Sequence, residues 1–299
     1  MFLLNKAGKI LEIFFSILPN YKLENVKIES SFNLVLFCGS KGINYLNASL
    51  FSIYKNWATI PKITIVTDGT PVDLIRKKMI KWPKDVTIIS WEECAKYFHE
   101  KGEFNLHKYA SRDLWGKKLI AILYFAAKDD ILYSDTDVLW FRDPSNSITN
   151  FSKIPYMKMC QDVEYCYSVD LNKELKDVTL FNNAPLNAGV IFAKGSFDGY
   201  PHWEKLCKYL ADYPDNRSEQ TTFALLTNYF GNSWSKDELM LEVDDMNEIK
   251  LNLYKERYKK IYGRHYVNTK SWLFWRDYLL LIRFFEYFQI QVVNQIVKL

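Results

Sequence analysis

Short apolar runs alternate with segments of helical periodicity along the first 140 residues of the chain. The runs predict strands at 33–39, 63–67, 86–90 and 130–134, and the periodic segments predict helices at 45–57, 71–81 and 117–128. A strand that is apolar on both faces is typical of a parallel sheet covered by helices on either side. The alternation therefore predicts an α/β fold with a three-layer, mostly parallel sheet, in which ligands bind at the carboxyl ends of the strands.

The second half of the chain is less regular. Strands are predicted at 156–160 and 188–193 and helices near 201–211 and 219–228, with a polar stretch at 169–183. The 299 residues, of which 48% are hydrophobic and 25% charged, fit one large folded domain and exclude a disordered chain. No internal repeat and no linker rich in proline, glycine or serine divides the sequence.

The net charge and the cysteine pattern limit which partners and which cellular compartment are expected. The net charge of +4 comes from scattered basic residues, so no nucleic-acid partner is expected. The sequence has neither a CxxC pair nor a Cys/His zinc spacing, and its five cysteines are Cys38, Cys94, Cys160, Cys166 and Cys207. Reduced thiols in a cytoplasmic protein are therefore expected.

Both ends of the chain are apolar enough to need a test for membrane insertion. At the start, Lys6, Lys9 and Glu12 interrupt the apolar stretch, so we expect an amphipathic helix that ends before Pro19 rather than a signal peptide. At the end, charged residues keep 272–299 short of the ~20 apolar residues of a membrane span, and an amphipathic helix is expected. Its apolar face would pack on the protein itself, on a second copy in a homodimer, or on a membrane surface, and the sequence leaves these open.

The segment 131–144 carries the clearest chemical signal. Asp135 and Asp137 stand one residue apart where a buried strand ends, and a single turn there can present both carboxylates to one divalent cation. Two like charges side by side are unfavourable to bury unless a cation neutralises them. The alternative is a solvated loop that caps the next segment, with Asp143 and Pro144 as an ordinary turn.

Four motifs in order resemble the nucleotide-diphospho-sugar transferases with the GT-A fold, in particular the retaining group of glycogenin and the lipopolysaccharide galactosyltransferases. The motifs lie at 134–144 around the two aspartates, at 187–192 with Asn-Ala-Gly, at 218–221 with Glu-Gln, and at 265–272 with a late histidine. The resemblance covers most of the chain and implies a GT-A (Rossmann-like) fold.

The resemblance also implies a domain organisation. Residues 1–271 would form a GT-A glycosyltransferase domain, with a nucleotide-binding half at about 30–145 and an acceptor half at about 146–271. The amphipathic helix 272–299 would follow as a C-terminal helical extension.

Individual residues receive roles from the same resemblance. Asp135, Asp137 and His265 would hold Mn²⁺ or Mg²⁺, and an imidazole beside two carboxylates suits Mn²⁺ better. The catalytic residues around the donor sugar would be Asn187, Glu219 and Gln220. The nucleotide sugar would contact Phe37, Cys38, Gly39, Asp68, Arg112, Lys117 or Lys118, Ser134, Asp135, Thr136, Gly189 and Lys270.

Two positions depart from the family pattern. Asn268 stands where a glycine usually follows the histidine by three residues, and Glu219 replaces the more usual aspartate. Each role also has an ordinary structural alternative. His265 would then be a hydrogen-bonded structural histidine, Asn187 part of a bulge, and Glu219 a charge at a helix start.

The resemblance thus implies a metal-dependent hexosyltransferase that moves a sugar from a nucleotide donor, most simply a UDP-sugar, to an acceptor hydroxyl with retention. The acceptor would be a glycan, a lipid-linked sugar or a protein. Two alternatives stay open. One is an inactive protein that binds the sugar nucleotide without turnover. The other is a sugar nucleotidyltransferase, which needs a glycine-rich phosphate loop, of which 38–42 is a thin version.

Overall fold

The computed structural model describes residues 8–10, 12, 32–79, 86–148, 153–177, 179–241, 258–267 and 271–281. Most of the predicted N-terminal helix, the stretch 282–299 of the predicted C-terminal helix, and the positions Asn268 and Lys270 lie outside these residues. A helix long and apolar enough to cross a bilayer does not occur in the described part of the chain.

A seven-stranded sheet forms the centre of the molecule. Its strands are β1 (Asn33–Cys38), β2 (Lys62–Thr67), β3 (Thr87–Ser90), β4 (Ile131–Ser134), β6 (Tyr156–Gln161), β7 (Leu186–Lys194) and β8 (Asn232–Trp234). The strand order is β3-β2-β1-β4-β7-β6-β8. The first four run parallel to one another, β7 runs antiparallel to both neighbours, and β8 is parallel to β6.

A smaller sheet of three strands lies beside the first. Its members are β5 (Val138–Trp140), β9 (Leu239–Met240) and β10 (Gly263–His265). Strand β10 is central, antiparallel to β5 and parallel to β9. Because β5 follows β4 after a short turn, this sheet brings a late part of the chain to the end of β4.

The helices connect and cover these strands. They are α1 (Ile43–Asn56), α2 (Val72–Lys78), α3 (Trp91–Glu100), α4 (Phe104–Arg112), α5 (Leu114–Ala126), α6 (Val169–Leu175), α7 (Trp203–Asp212), α8 (Ser218–Phe230) and α9 (Ser271–Leu281). The predicted strands and helices of the first 140 residues agree with the observed ones to within three residues at each end. The sequence pattern does not predict α3 and α4, because only a narrow strip of each is apolar.

Helices pack on both faces of the central sheet. On one face, α3 to α8 enclose a core that includes Leu119 and Phe223. On the other face, α1 packs with β5 in a core that includes Leu46 and Trp140. This arrangement confirms the predicted three-layer α/β fold. The parallel strands belong to the first half of the chain, and β6 to β8 complete the sheet in mixed directions. All five cysteines are free thiols.

Candidate active site

Asp135 lies where β4 ends, and its backbone is held from both sides. Its N–H donates to the carbonyl of Gly189 on β7 at 2.7 Å, and the N–H of Val138 donates back to the carbonyl of Asp135 at 3.3 Å. The hydroxyl of Tyr133 also donates to its Oδ1. The two-aspartate segment is therefore a turn with a defined backbone that places Asp137 beside Asp135.

His265 on β10 approaches both aspartates. Its Nε2 lies 3.2 Å from Oδ1 of Asp137 and 3.6 Å from Oδ2 of Asp135. Burial of the ring favours its neutral form, but the negative charges of Asp137 and Asp135 outweigh burial and raise the pKa of His265 above its ordinary value. The structure thus brings together the three residues that the resemblance implies as metal ligands.

The three side chains fit a divalent cation. One ligand atom from each of Asp135, Asp137 and His265 lies within 4.8 Å of the other two. Carboxylate oxygens and an imidazole nitrogen form a donor set that suits Mn²⁺. A bound cation would also neutralise the two partly buried carboxylates, which otherwise repel each other.

Gly189 and Asn187 on β7 position the imidazole. A Cβ atom at Gly189 would lie 2.2 Å from Nδ1 of His265, so any larger residue would displace the ring. Oδ1 of Asn187 accepts a hydrogen bond from the N–H of Gly189 at 2.8 Å and lies 2.9 Å from Nδ1 of His265. When Nδ1 donates to this oxygen, Nε2 is left to bind a cation. Asn187 therefore orients a metal ligand.

Asp162 follows β6 and joins the same network. Its Oδ2 accepts hydrogen bonds from Nδ2 of Asn187 at 3.0 Å and from Nε2 of Gln220 at 3.4 Å. The carboxylate is buried. No motif in the sequence distinguishes Asp162 from the other aspartates, so sequence reasoning missed it.

Lys118 on α5 lies beneath the two acidic motifs, with a side chain that is 3% exposed. Its Nζ lies 3.1 Å from Oδ1 of Asp135 and 3.2 Å from Oε1 of Glu219, and it donates to the carbonyl of Ala188 at 3.0 Å. Burial disfavours the ammonium, but the charges of the two carboxylates outweigh it and raise the pKa of Lys118 above its ordinary value. Lys118 is thus a buried cation that joins α5, β4 and α8.

Glu219 lies in the first turn of α8 and is also buried. Burial raises the pKa of its carboxyl to about 7; the positive charge of Lys118 opposes this rise and the negative charge of Asp135 adds to it. A buried carboxyl that titrates near neutral pH beside a cavity is typical of active sites.

These side chains line one cavity of about 550 Å³. Its described lining residues are Trp115, Lys118, Asp135, Asp137, Asp162, Val163, Glu164, Cys166, Asn187, Ala188, Gly189, Asn216, Arg217, Glu219, Gln220, Leu241, His265 and Val267. The volume lies in the range of small-molecule sites. Trp115 is 39% exposed at this cavity, and nothing in the sequence separates it from the eight other tryptophans.

The nucleotide contacts implied at the first two strands form a separate group. A Cβ atom at Gly39 would lie 2.0 Å from Oδ2 of Asp68, so the backbone after β1 closely approaches this carboxylate. Oδ1 of Asp68 accepts from the N–H and the hydroxyl of Thr70 at 2.9 and 2.7 Å. Nζ of Lys117 donates to the carbonyl of Asp68 at 2.8 Å and lies over the ring of Trp91.

Three further residues with implied nucleotide contacts, Cys38, Phe37 and Thr136, lie at the end of β1 or face the loop that follows it. Burial and the charge of Asp68 raise the pKa of the Cys38 thiol to about 12, so this thiol is neutral. Phe37 is half-buried against the core. Oγ1 of Thr136 would lie 3.5 Å from a Cβ atom at Gly42, so Thr136 faces the loop after β1.

Two implied contacts are placed away from the cavity. Nη1 of Arg112 donates to the carbonyl of Ala211 at 2.6 Å, because α4 packs against α7. Ser134 is fully buried, and its Oγ accepts from Nε1 of Trp140 at 3.2 Å and donates to the carbonyl of Asp135 at 3.1 Å. The hydrogen bond of Arg112 therefore joins α4 to α7, and those of Ser134 lie at the end of β4. Lys270 lies outside the described residues.

A second buried charge cluster lies behind β10. Asp277 on α9 is fully buried. Its carboxylate accepts hydrogen bonds, at 3.0, 2.7, 2.5 and 2.6 Å, from Arg264, Arg276, Tyr258 and Tyr266. Because successive strand residues point to opposite sides, Arg264 faces this cluster while His265 faces the cavity. The cluster therefore anchors the strand that carries the histidine.

The fold and the site together define a class of protein, the GT-A glycosyltransferases. The chain belongs to the nucleotide-diphospho-sugar transferase family, whose sequence profile matches residues 89–268. No curated protein sequence matches the chain significantly.

Several solved structures share the fold. An active-site mutant of LgtC has a TM-score of 0.50 at 15% identity, over 79% of this chain and 87% of that one. The bifunctional glycosyltransferase WbbM has a TM-score of 0.53 at 13% identity, over 82% of this chain and 47% of that one. Mouse xyloside xylosyltransferase 1 has a TM-score of 0.52 at 11% identity, over 81% of this chain and 99% of that one. At these identities the likeness concerns the fold alone.

Proposed function

We propose that this glycosyltransferase is metal-dependent and moves a hexose from a UDP-sugar to an acceptor hydroxyl with retention of configuration. The observation that carries the proposal is the convergence of Asp135, Asp137 and His265 on one side of a cavity whose base holds Lys118 and Glu219. The acceptor in this proposal is a hydroxyl of a glycan, a lipid-linked sugar or a protein.

The metal ligands and Lys118 act on the leaving group. Asp135, Asp137 and His265 would hold a divalent cation, which would supply positive charge to the departing diphosphate. Lys118 holds Asp135 by an ion pair at 3.1 Å, so this ligand does not swing away from the other two. Asn187 holds the histidine ring from its far side. The protein therefore orients the ligands before the donor binds, which removes a reorganisation cost from the reaction.

The donor sugar lies, in this proposal, against the first turn of α8. Gln220 is held by Asp162 at 3.4 Å and presents its amide beside the anomeric carbon. Glu219 accepts sugar hydroxyls and is engaged by Lys118 at 3.2 Å. A carboxylate that is already paired with an ammonium is a weak nucleophile, which favours a same-face displacement in which the departing phosphate takes the acceptor proton. Retention follows from that geometry.

The ends of β1 and β2 hold the nucleoside in this proposal. Cys38 and Gly39 contact the base, and Asp68 accepts from ribose hydroxyls. Nζ of Lys117 lies 2.8 Å from the carbonyl oxygen of Asp68. Because it is this close to the proposed nucleoside contacts, Lys117 contacts the diphosphate in this proposal. The Asp68 carboxylate against Gly39 would repel a phosphate there, which disfavours the alternative of a nucleotidyltransferase with a phosphate loop at 38–42.

The first experiment measures ligand-induced thermal stabilisation of the full chain. We expect UDP with Mn²⁺ to raise Tm by several degrees, since occupancy at 100 Kd adds about 2.7 kcal/mol. GDP and CDP should give smaller shifts, and omission of Mn²⁺ should remove most of the effect. Asp137→Ala should abolish the shift, whereas Asp170→Ala, at an exposed ion pair on α6, should retain it.

The second experiment measures turnover. UDP-glucose and UDP-galactose are incubated with Mn²⁺, and release of UDP is followed with and without sugar acceptors. We expect Asp137→Ala to lower the rate by about 10³-fold or more, because the cation contributes several kcal/mol to the transition state. An active Asp137→Ala protein would refute the mechanism. Binding of UDP and Mn²⁺ without any turnover would favour the inactive sugar-nucleotide binder. Proton NMR of the glycosidic product tests retention.

A further inference from the structure

A second cavity, of about 400 Å³, lies beside the last turn of α8 and the strands β6 and β8. Its polar lining residues are Gln161, Asn183, Thr227, Asn228, Asn232 and Ser233. None of the described residues that line it is charged, although 25% of the chain is. The lining consists of amides and hydroxyls, with a few small or apolar side chains.

Three amide side chains of this cavity each make a hydrogen bond to the protein through one of their two polar atoms. Nε2 of Gln161 donates to Oγ of Ser233 at 3.2 Å, and Oδ1 of Asn232 accepts from the hydroxyl of Tyr156 at 2.8 Å. Nδ2 of Asn228 donates to a backbone carbonyl at 3.3 Å. The other end of each of these three amides has no hydrogen-bond partner in the described part of the chain. Gln161, Asn228 and Asn232 are thus each oriented by one bond and keep one group for a ligand.

Thr227 adds an unsatisfied hydroxyl to the same wall. Its Oγ1 is buried and has no hydrogen-bond partner among the described residues. A buried polar group without a partner is costly, because it has lost its hydrogen bonds to water. A small movement of the wall on ligand binding would give this hydroxyl a partner.

The lining selects a neutral ligand with many hydroxyl groups. Each ligand hydroxyl both donates and accepts, which matches a wall that offers amide oxygens, amide nitrogens and hydroxyl groups. A phosphate or carboxylate would find no cationic group among the described lining residues. Beside the cavity, the rings of Tyr165 and Phe181 are exposed and lie 5.3 Å apart. The hydroxyl of Tyr165 donates to the carbonyl of Asn183 at 2.7 Å, which fixes this aromatic pair to the cavity rim.

The second cavity is separate from the active-site cavity. Helix α8 and the strand pair β6–β7 contribute residues to both. Helix α8 contributes Gln220 to the active site and Asn228 to the second cavity, and eight residues of helix span about 12 Å. Gln161 pairs with Leu186, and the residues that follow each of them, Asp162 and Asn187, line the active-site cavity. Successive strand residues point to opposite sides, so the two cavities open on opposite sides of this strand pair.

We propose that this second cavity binds a neutral oligosaccharide, independently of the nucleotide sugar. The amides hold the ligand hydroxyls, and the Tyr165–Phe181 pair packs on the apolar face of a sugar ring. This site goes beyond the proposed transfer reaction and does not depend on it.

The test is a titration of the isotopically labelled full chain followed by amide NMR. The probes are maltose, cellobiose and lactose, with galacturonate as the charged comparator. At least one disaccharide should shift the signals of Gln161, Asn228 and 231–233 in a saturable way. Galacturonate should bind at least tenfold more weakly. Saturating UDP and Mn²⁺ should leave the disaccharide affinity unchanged.

Matched variants locate the site. Asn228→Leu and Gln161→Met keep side-chain volume but remove the polar groups, and each should weaken binding at least tenfold. Asn105→Leu, at an exposed position in a charge-lined depression on α4, should bind as the parent does. The proposal is overturned if none of the three disaccharides binds, if the shifts centre on the active-site cavity, or if Asn228→Leu binds normally. None of these outcomes alters the UDP and Mn²⁺ result, so the two proposals fail separately.

Discussion

Two buried charge clusters lie on opposite sides of β10, and they are built differently. Behind the strand, one carboxylate, that of Asp277, accepts from two guanidinium groups and two tyrosine hydroxyls. In front of it, three carboxylates share one ammonium and one imidazole, in a cavity open to solvent. In the first cluster four donors satisfy one carboxylate, whereas the second cluster has too little positive charge for its three carboxylates.

This difference separates a structural cluster from a functional one. A buried carboxylate with all its donors in place has no capacity left for a ligand and only holds the chain together. A group of carboxylates with a deficit of positive charge attracts a cation. Burial raises the pKa of Glu219 to about 7 even beside Lys118, and although burial lowers the pKa of His265, the charges of Asp137 and Asp135 outweigh it and raise that pKa. The same strand therefore joins an anchor to a binding site.

The largest effect is expected from Asp277→Ala. Removal of the carboxylate breaks the ion pairs of Asp277 with Arg264 and Arg276, and breaking a buried ion pair costs about 3–5 kcal/mol. Urea denaturation followed by tryptophan fluorescence measures the free energy of unfolding. Asp170→Ala, at an exposed pair, should change it by less than about 0.5 kcal/mol. A loss below 1 kcal/mol for Asp277→Ala would show that the cluster is not an anchor.

A smaller and pH-dependent effect is expected from Lys118→Met. The loss of the ammonium exposes Asp135 and Glu219 to each other, at a cost of about 2–3 kcal/mol at pH 8. Because the pKa of Glu219 is already raised to about 7 in the folded state, its carboxyl takes up a proton as pH falls, and the destabilisation should shrink at pH 6.

Added Mn²⁺ distinguishes the two clusters in the same experiment. It should stabilise Lys118→Met more than it stabilises the parent, since the cation replaces the missing positive charge near Asp135, and it should stabilise Asp277→Ala no more than the parent. Lys96→Met, at an exposed pair on α3, is the control and should behave as the parent. Equal responses of the two cluster variants to Mn²⁺ would contradict the distinction drawn between them.

Asn187→Ala should weaken Mn²⁺ binding by about 10–100-fold, the usual cost of losing a residue that orients a metal ligand. Isothermal titration calorimetry measures the affinity. The free energy of unfolding without metal should change less than it does in Lys118→Met, because Asn187 carries no charge. Asn182→Ala, at an exposed position, should bind Mn²⁺ normally. Unchanged affinity in Asn187→Ala would exclude the orienting role.

The smallest effect is expected from Tyr266→Phe. One of four hydrogen bonds to Asp277 is lost, which should lower the free energy of unfolding by about 1 kcal/mol. Mn²⁺ affinity should stay the same, although Tyr266 is the direct neighbour of His265, because Arg264 on β10 still pairs with Asp277. Tyr213→Phe, at a highly exposed ring, is the control and should show neither change. A loss of Mn²⁺ affinity in Tyr266→Phe would mean that the anchor and the site are coupled more tightly than proposed.

The sequence predicted the parts of the site that follow local rules. Asp135 and Asp137 were recognisable because they terminate an apolar strand, and His265 because it lies in a motif of known order. Sequence position alone does not show that Arg112, the last residue of α4, donates to a carbonyl of α7. Asp162 belongs to no motif, and its role arises only from contacts with Asn187 and Gln220.

Local patterns were sufficient for the four parallel strands and for three of the helices in the first 140 residues, though not for α3 and α4, since apolar periodicity reflects which face of an element is buried. They were also sufficient for the acidic turn at Asp135. The contacts of Lys118 with Asp135 and Glu219, and those of Asp277 with its four donors, needed the folded chain. Such contacts join distant segments, and burial and neighbouring charge, which determine how a side chain ionises, exist only once those segments have packed.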